Sequence, residues 1–76
     1  MTEIEWLDTF GDNLQDMLDD ARMSRRELAD ETGISVSTIC RYINKQTVPN
    51  IFAIINIAYA LNCSVDDLID FGRAIK

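Results

Sequence analysis

The chain of 76 residues carries 13 acidic against 7 basic side chains, a net charge of −6, and 47% of its residues are hydrophobic. That length allows one modest core and leaves no room for a separate ligand-sensing or catalytic domain, so residues 1–76 are expected to form a single domain. The apolar content excludes a disordered chain, and the acidity argues against nonspecific binding to polyanions.

Other classes fall to single features. Cys40 and Cys63 stand 23 residues apart, form no CxxC pair and have no histidine for company. Zinc ligation and histidine-assisted nucleophilic chemistry are therefore not expected, and two reduced, apolar thiols are. No enzyme activity, metal, cofactor or small-molecule ligand is anticipated. The longest apolar run, Ile51 to Ile55, is too short to span a bilayer. The first residues are acidic and lack a basic secretory leader, so a cytoplasmic location without a membrane partner is expected.

The charge is unevenly spread. Seven acids and no base lie in residues 1–21, whereas residues 22–47 hold five bases against three acids. That locally basic middle segment leaves room for a specific contact.

Helical periodicity runs through the chain. Leu7, Phe10, Leu14, Met17, Leu18 and Ala21 recur at three- and four-residue intervals and define the apolar face of a first helix. Both Thr2-x-x-Glu5 and Thr9-x-x-Asp12 resemble capping boxes. An early start near Glu3 is favoured, and it leaves Gly11 inside the helix at a cost of ~1 kcal/mol relative to Ala. Ser24-x-x-Glu27 opens helix two, Ser35 caps helix three, and Asn44 suits the left-handed end of helix three. Pro49 and Asn50 start helix four, which runs from Ile51 to about Leu61. Ser64-x-x-Asp67 opens a short helix five. The expected fold is an all-α, compact bundle of five helices.

Arg25 to Asn44 form a unit. Counting from Arg25, the small Ala29 is fifth and Gly33 ninth, while Leu28, Ile34, Ile39 and Tyr42 take places four, ten, fifteen and eighteen. A helix–turn–helix needs this spacing: a small residue where the helices cross, a glycine in the turn and apolar pins on both helices. Thr32 stands where such motifs usually have a larger apolar residue.

The stretch MSRRELADETGISVSTICRYIN, a loop to Pro49, and then IFAIINIAYALNCSVDDLI resemble the phage repressor and Cro-like helix–turn–helix family, the XRE family, over roughly residues 10–71. The resemblance implies the λ repressor-like DNA-binding fold: an acidic first helix over 1–22, the helix–turn–helix over 24–44, and helices four and five over 50–72. It implies a sequence-specific transcriptional regulator, acting by operator occupancy, whose recognition helix over 36–44 enters the major groove of double-stranded DNA as a homodimer. Val36, Ser37 and Arg41 match base-reading positions, and Arg41 could reach a guanine edge. Ser24, Arg25, Thr38 and Asn44 match phosphate-contacting positions. Lys45, in place of a frequent turn glycine, offers a further phosphate contact. Gln46 and Val48 stand where bases are frequent, and Val36 where glutamine is. Leu18 and Ile43 replace an ion pair common in the family, and are inferred to touch.

Alternatives stay open at three places. Arg26 is either a solvated charge or a DNA contact. The acids of helix one are either a solvated back face or a face for a basic protein, in which case the domain is an acidic protein-interaction module. On helix four, Ile51, Ile54, Ile57, Ala58 and Leu61 read as a core stripe, with Phe52, Ile55 and Tyr59 beside it. That second stripe is covered either by Ile4 and Trp6 or by a second copy, for which Phe71 and Ile75 are further candidate contacts.

Overall fold

Each helix begins where a short polar side chain closes a local hydrogen bond. The computed structural model describes residues 2–69, and in it α1 spans Glu3–Ala21, α2 Arg25–Thr32, α3 Val36–Ile43, α4 Ile51–Ala60 and α5 Val65–Ile69. No strand occurs among the described residues. The Thr2 hydroxyl accepts the Glu5 amide at 3.2 Å, which selects the early start of α1. Ser24 accepts the Glu27 amide while the Glu27 carboxylate accepts the Ser24 amide, both at 3.0 Å. Ser35, Asn50 and Ser64 accept the amides of Thr38, Ala53 and Asp67 in the same way. Each cap satisfies an otherwise orphaned donor and contributes ~1 kcal/mol.

Helix ends are set by left-handed residues. Gly33 closes α2 at φ 76°, a conformation glycine adopts without a Cβ penalty. At the end of α3 the expectation fails by one residue. Asn44 keeps φ −81°, and Lys45 takes the left-handed position at φ 64°. The return is fixed by backbone bonds from Lys45 to the Tyr42 carbonyl and from Gln46 to the Arg41 carbonyl. The chain therefore turns after the helix rather than on its cap.

All five helices feed one core. Phe10, Leu14, Leu18, Leu28, Ile39, Ile57 and Leu68 are almost completely buried. At ~1.5–3 kcal/mol for each large apolar side chain, this burial outweighs any single polar contact. α1 packs on α3 and α5, and α2 packs on α3 and α4. Phe10 meets the edge of Tyr42 at 6.1 Å, and Trp6 stacks on Phe10 at 5.3 Å. Asn13 is also buried and donates to the Leu68 carbonyl at 2.9 Å, tying α1 to α5. Gly11 lies against the end of α3: a Cβ there would come within 2.9 Å of the Ile43 carbonyl oxygen and 3.0 Å of the Tyr42 oxygen. The absent side chain is what lets α1 and α3 cross so closely.

On α4 the expected core stripe is partly wrong. Ile51 is 57% exposed, and the buried positions are Ala53, Ile54, Ile57 and Ala58. The helix is apolar nearly all round, so periodicity could not choose its inner side. Phe52, Ile55 and Tyr59 remain 74%, 49% and 86% exposed. Ile4 is itself 77% exposed and Trp6 stacks on Phe10, so neither forms a cover for that stripe. Phe71 and Ile75 lie outside the described residues.

Candidate nucleic-acid interface

α3 has two unlike sides. Ile39, Tyr42 and Ile43 are buried against the rest of the bundle. Ser37, Arg41 and Asn44 are exposed and share the opposite face at helical spacing. Among the described residues, the Arg41 guanidinium has no hydrogen bond or ion pair, so its full set of donors faces solvent. Val36 differs from its two fellow candidates: it is half-buried and packs on the core, leaving only part of its surface to meet a base.

The start of α3 is built by Ser35 and Thr38. Ser35 donates its hydroxyl to the Thr38 oxygen at 2.8 Å and accepts the Thr38 amide at 3.2 Å. Thr32, the apparent irregularity before the turn, is a local brace. Its hydroxyl donates to the Leu28 carbonyl at 2.8 Å and accepts the Ile34 amide at 3.1 Å. A larger apolar residue could make neither bond.

The two bases expected to grip phosphate are both held within the protein. Arg25 donates to Gln15 Oε1 on α1 at 3.0 Å and to Cys40 Sγ on α3 at 3.3 Å. Gln15 in turn donates to Asp19 at 2.9 Å. Arg25 thereby links α1, α2 and α3 at the base of the helix–turn–helix. Lys45 Nζ lies 2.8 Å from Asp12 and 3.6 Å from Asp8, one turn apart on α1. The hydrogen bond to Asp12 and the two carboxylate charges raise the Lys45 pKa above 10.5, against a smaller opposing effect of burial. Burial raises the Tyr42 pKa above 10.0. Asp8 and Asp12, two of the helix-one acids left open between a solvated face and a protein-binding face, are engaged with the turn after α3. Gln15 carried no signal in the sequence. A polar side chain on the flank of an amphipathic helix is ordinary, and its partner is ten residues away.

A family model described as the Cro/C1-type HTH DNA-binding domain matches residues 13–72. The chain belongs to that family. This Cro/C1-type domain is also similar to a solved structure, an HTH_3 family transcriptional regulator from Vibrio cholerae, with a TM-score of 0.88 at 18% identity. The match covers 97% of this chain but 42% of the other, so the likeness concerns the fold of one part of a longer protein. No curated protein matches the chain. No helix among the described residues of the Cro/C1-type domain is long and apolar enough to cross a membrane.

Proposed function

We propose that the protein is a transcriptional regulator of phage-repressor type that occupies a two-fold operator as a homodimer. The observation that carries this reading is the exposed Ser37–Arg41–Asn44 face on a helix whose other side is anchored in the core. α3 enters the major groove. Arg41 reads a guanine, Ser37 a neighbouring base edge, and the exposed part of Val36 packs on a thymine methyl. Ser24, Thr38 and Asn44 supply phosphate contacts, with Arg25 and Lys45 as the charged members of that set. The Ser24 hydroxyl accepts the Glu27 amide and keeps its own proton to donate.

The homodimer rests on α4. Phe52, Ile55 and Tyr59 form an exposed apolar face, and no charged residue occurs from Thr47 to Ser64. A second copy of a chain with net charge −6 meets the least repulsion on such a face. Two copies then address half-sites about one helical turn apart.

The test is a titration of duplex selected from a random pool, over a salt series, with molecular mass measured in parallel by sedimentation. The regulator binds its selected duplex more tightly than random DNA, and log affinity falls linearly with log salt. Phe52→Glu yields a monomer with weakened operator binding. Absence of salt-dependent binding to any duplex would remove the regulator reading. It would favour the acidic protein-interaction module, the reading that the internal engagement of Arg25 and Lys45 supports.

A further inference from the structure

The contact between α1 and Lys45 is more than a surface ion pair. Lys45 occupies a left-handed backbone position directly after α3, which disfavours a residue with a Cβ. Gly11 lets α1 approach the Tyr42 and Ile43 carbonyls, and the Lys45 side chain lies beside it, its Cγ 3.1 Å from where a Gly11 Cβ would stand. Asp8 and Asp12 flank that glycine and converge on one ammonium. The Lys45 side chain keeps 34% of its surface exposed, so a phosphate can still reach it.

We propose that Asp8 and Asp12 compete with the DNA backbone for Lys45 and so hold down the sequence-independent part of the domain's affinity. The proposal rests on the DNA-binding reading above and names a control on it. A lysine already neutralised by two carboxylates releases little counterion when it meets phosphate, because one charged hydrogen bond is exchanged for another. Sequence-independent affinity is thereby held down, while the contacts of Ser37 and Arg41 with bases are untouched. The raised Lys45 pKa reports the same attraction, chiefly the hydrogen bond to Asp12.

The experiment measures binding of the full chain to a random-sequence duplex across a salt series. It compares the wild type, Asp8→Asn/Asp12→Asn, Lys45→Gln and the triple variant, with a thermal melt of each. The double variant is expected to bind roughly threefold or more tightly at low salt, with a log–log slope steeper by about 0.9. Lys45→Gln alone leaves the slope nearly unchanged, and in the triple variant the gain disappears. An equal gain with and without Lys45 would assign the effect to long-range charge and overturn the proposal. So would an unchanged slope in the double variant. If the double variant melts too low to assay, Asp12→Asn alone removes the carboxylate charge at the 2.8 Å contact and carries the same expectations at smaller size. Failure of every folded variant to bind any duplex would overturn the DNA-binding reading together with this one. Wild-type binding with identical slopes throughout would overturn this one alone.

Discussion

The inner and outer sides of α3 meet different demands with neighbouring residues. On the inner side Ile39, Tyr42 and Ile43 are buried under α1, which approaches closely enough that position 11 has room for no side chain. On the outer side the side chains of Ser37, Arg41 and Asn44 are exposed. One side is held by apolar burial and steric fit, so changes there should act on folding. The other is free to meet a partner, so changes there should act on binding alone.

Leu18→Arg should break the inner side most severely. Leu18 is 1% exposed in the core that also holds Ile43, and an unpaired charge there costs roughly 3–5 kcal/mol. For a domain of this size that cost approaches total stability. Adding Ile43→Glu should recover part of the loss and restore the family's ion pair, giving non-additive denaturant melts. Strict additivity would show that the two positions do not meet.

Gly11→Ala tests the closeness of the crossing. In an isolated helix this change is worth ~1 kcal/mol in favour of Ala. Here the methyl would press on two backbone carbonyl oxygens, which cannot swing aside as a flexible side chain can. We expect a net destabilisation of about 1–3 kcal/mol by overpacking. A stabilised variant would mean that α1 can lift from α3.

Arg41→Ala should do the reverse. Stability should change by less than ~0.5 kcal/mol, as for an exposed site without partners. Affinity for the selected operator should fall by ~1–3 kcal/mol, with relaxed preference at one base pair. Equal losses on cognate and random duplex would show that Arg41 contacts only the backbone.

The smallest effect is expected from alkali. Lys45 and Tyr42 both have folded-state pKa values above their ordinary 10.5 and 10.0. A raised folded pKa gives stability that is fully present below the unfolded value and lost as pH rises through the folded one. Stability should therefore hold across neutral pH and decline above pH 10. The share owed to Lys45 is below ~1 kcal/mol, since a partly exposed pair is screened. Chemical denaturation of the wild type and of Lys45→Gln over that range measures it. Identical pH profiles would assign the decline to Tyr42.

The sequence by itself determined what depends on near neighbours. Caps at Thr2, Ser24, Ser35, Asn50 and Ser64 are bonds across three residues, and each was legible as a pattern of residue types. Phe10, Leu14 and Leu18 on the buried face of α1, and the glycine turn, followed from a single period and a single dihedral requirement, whereas Ala21, expected on that face, is exposed. The exposure of Arg41 fits its register on α3, one turn from the exposed Ser37.

Tertiary structure decided whatever depends on how two helices meet. Asn13 reaches Leu68, Arg25 reaches Gln15 and Cys40, and Lys45 reaches Asp8 and Asp12 across bonds that no local spacing announces. The inner side of α4 was equally undecided in the sequence, because a helix apolar all round has no preferred face until its neighbours supply one. Those neighbours buried Ala53 and exposed Ile51. The physical reason is common to all these cases. Local hydrogen bonds depend on residue type and spacing, whereas register between helices is chosen by the packing of the whole core.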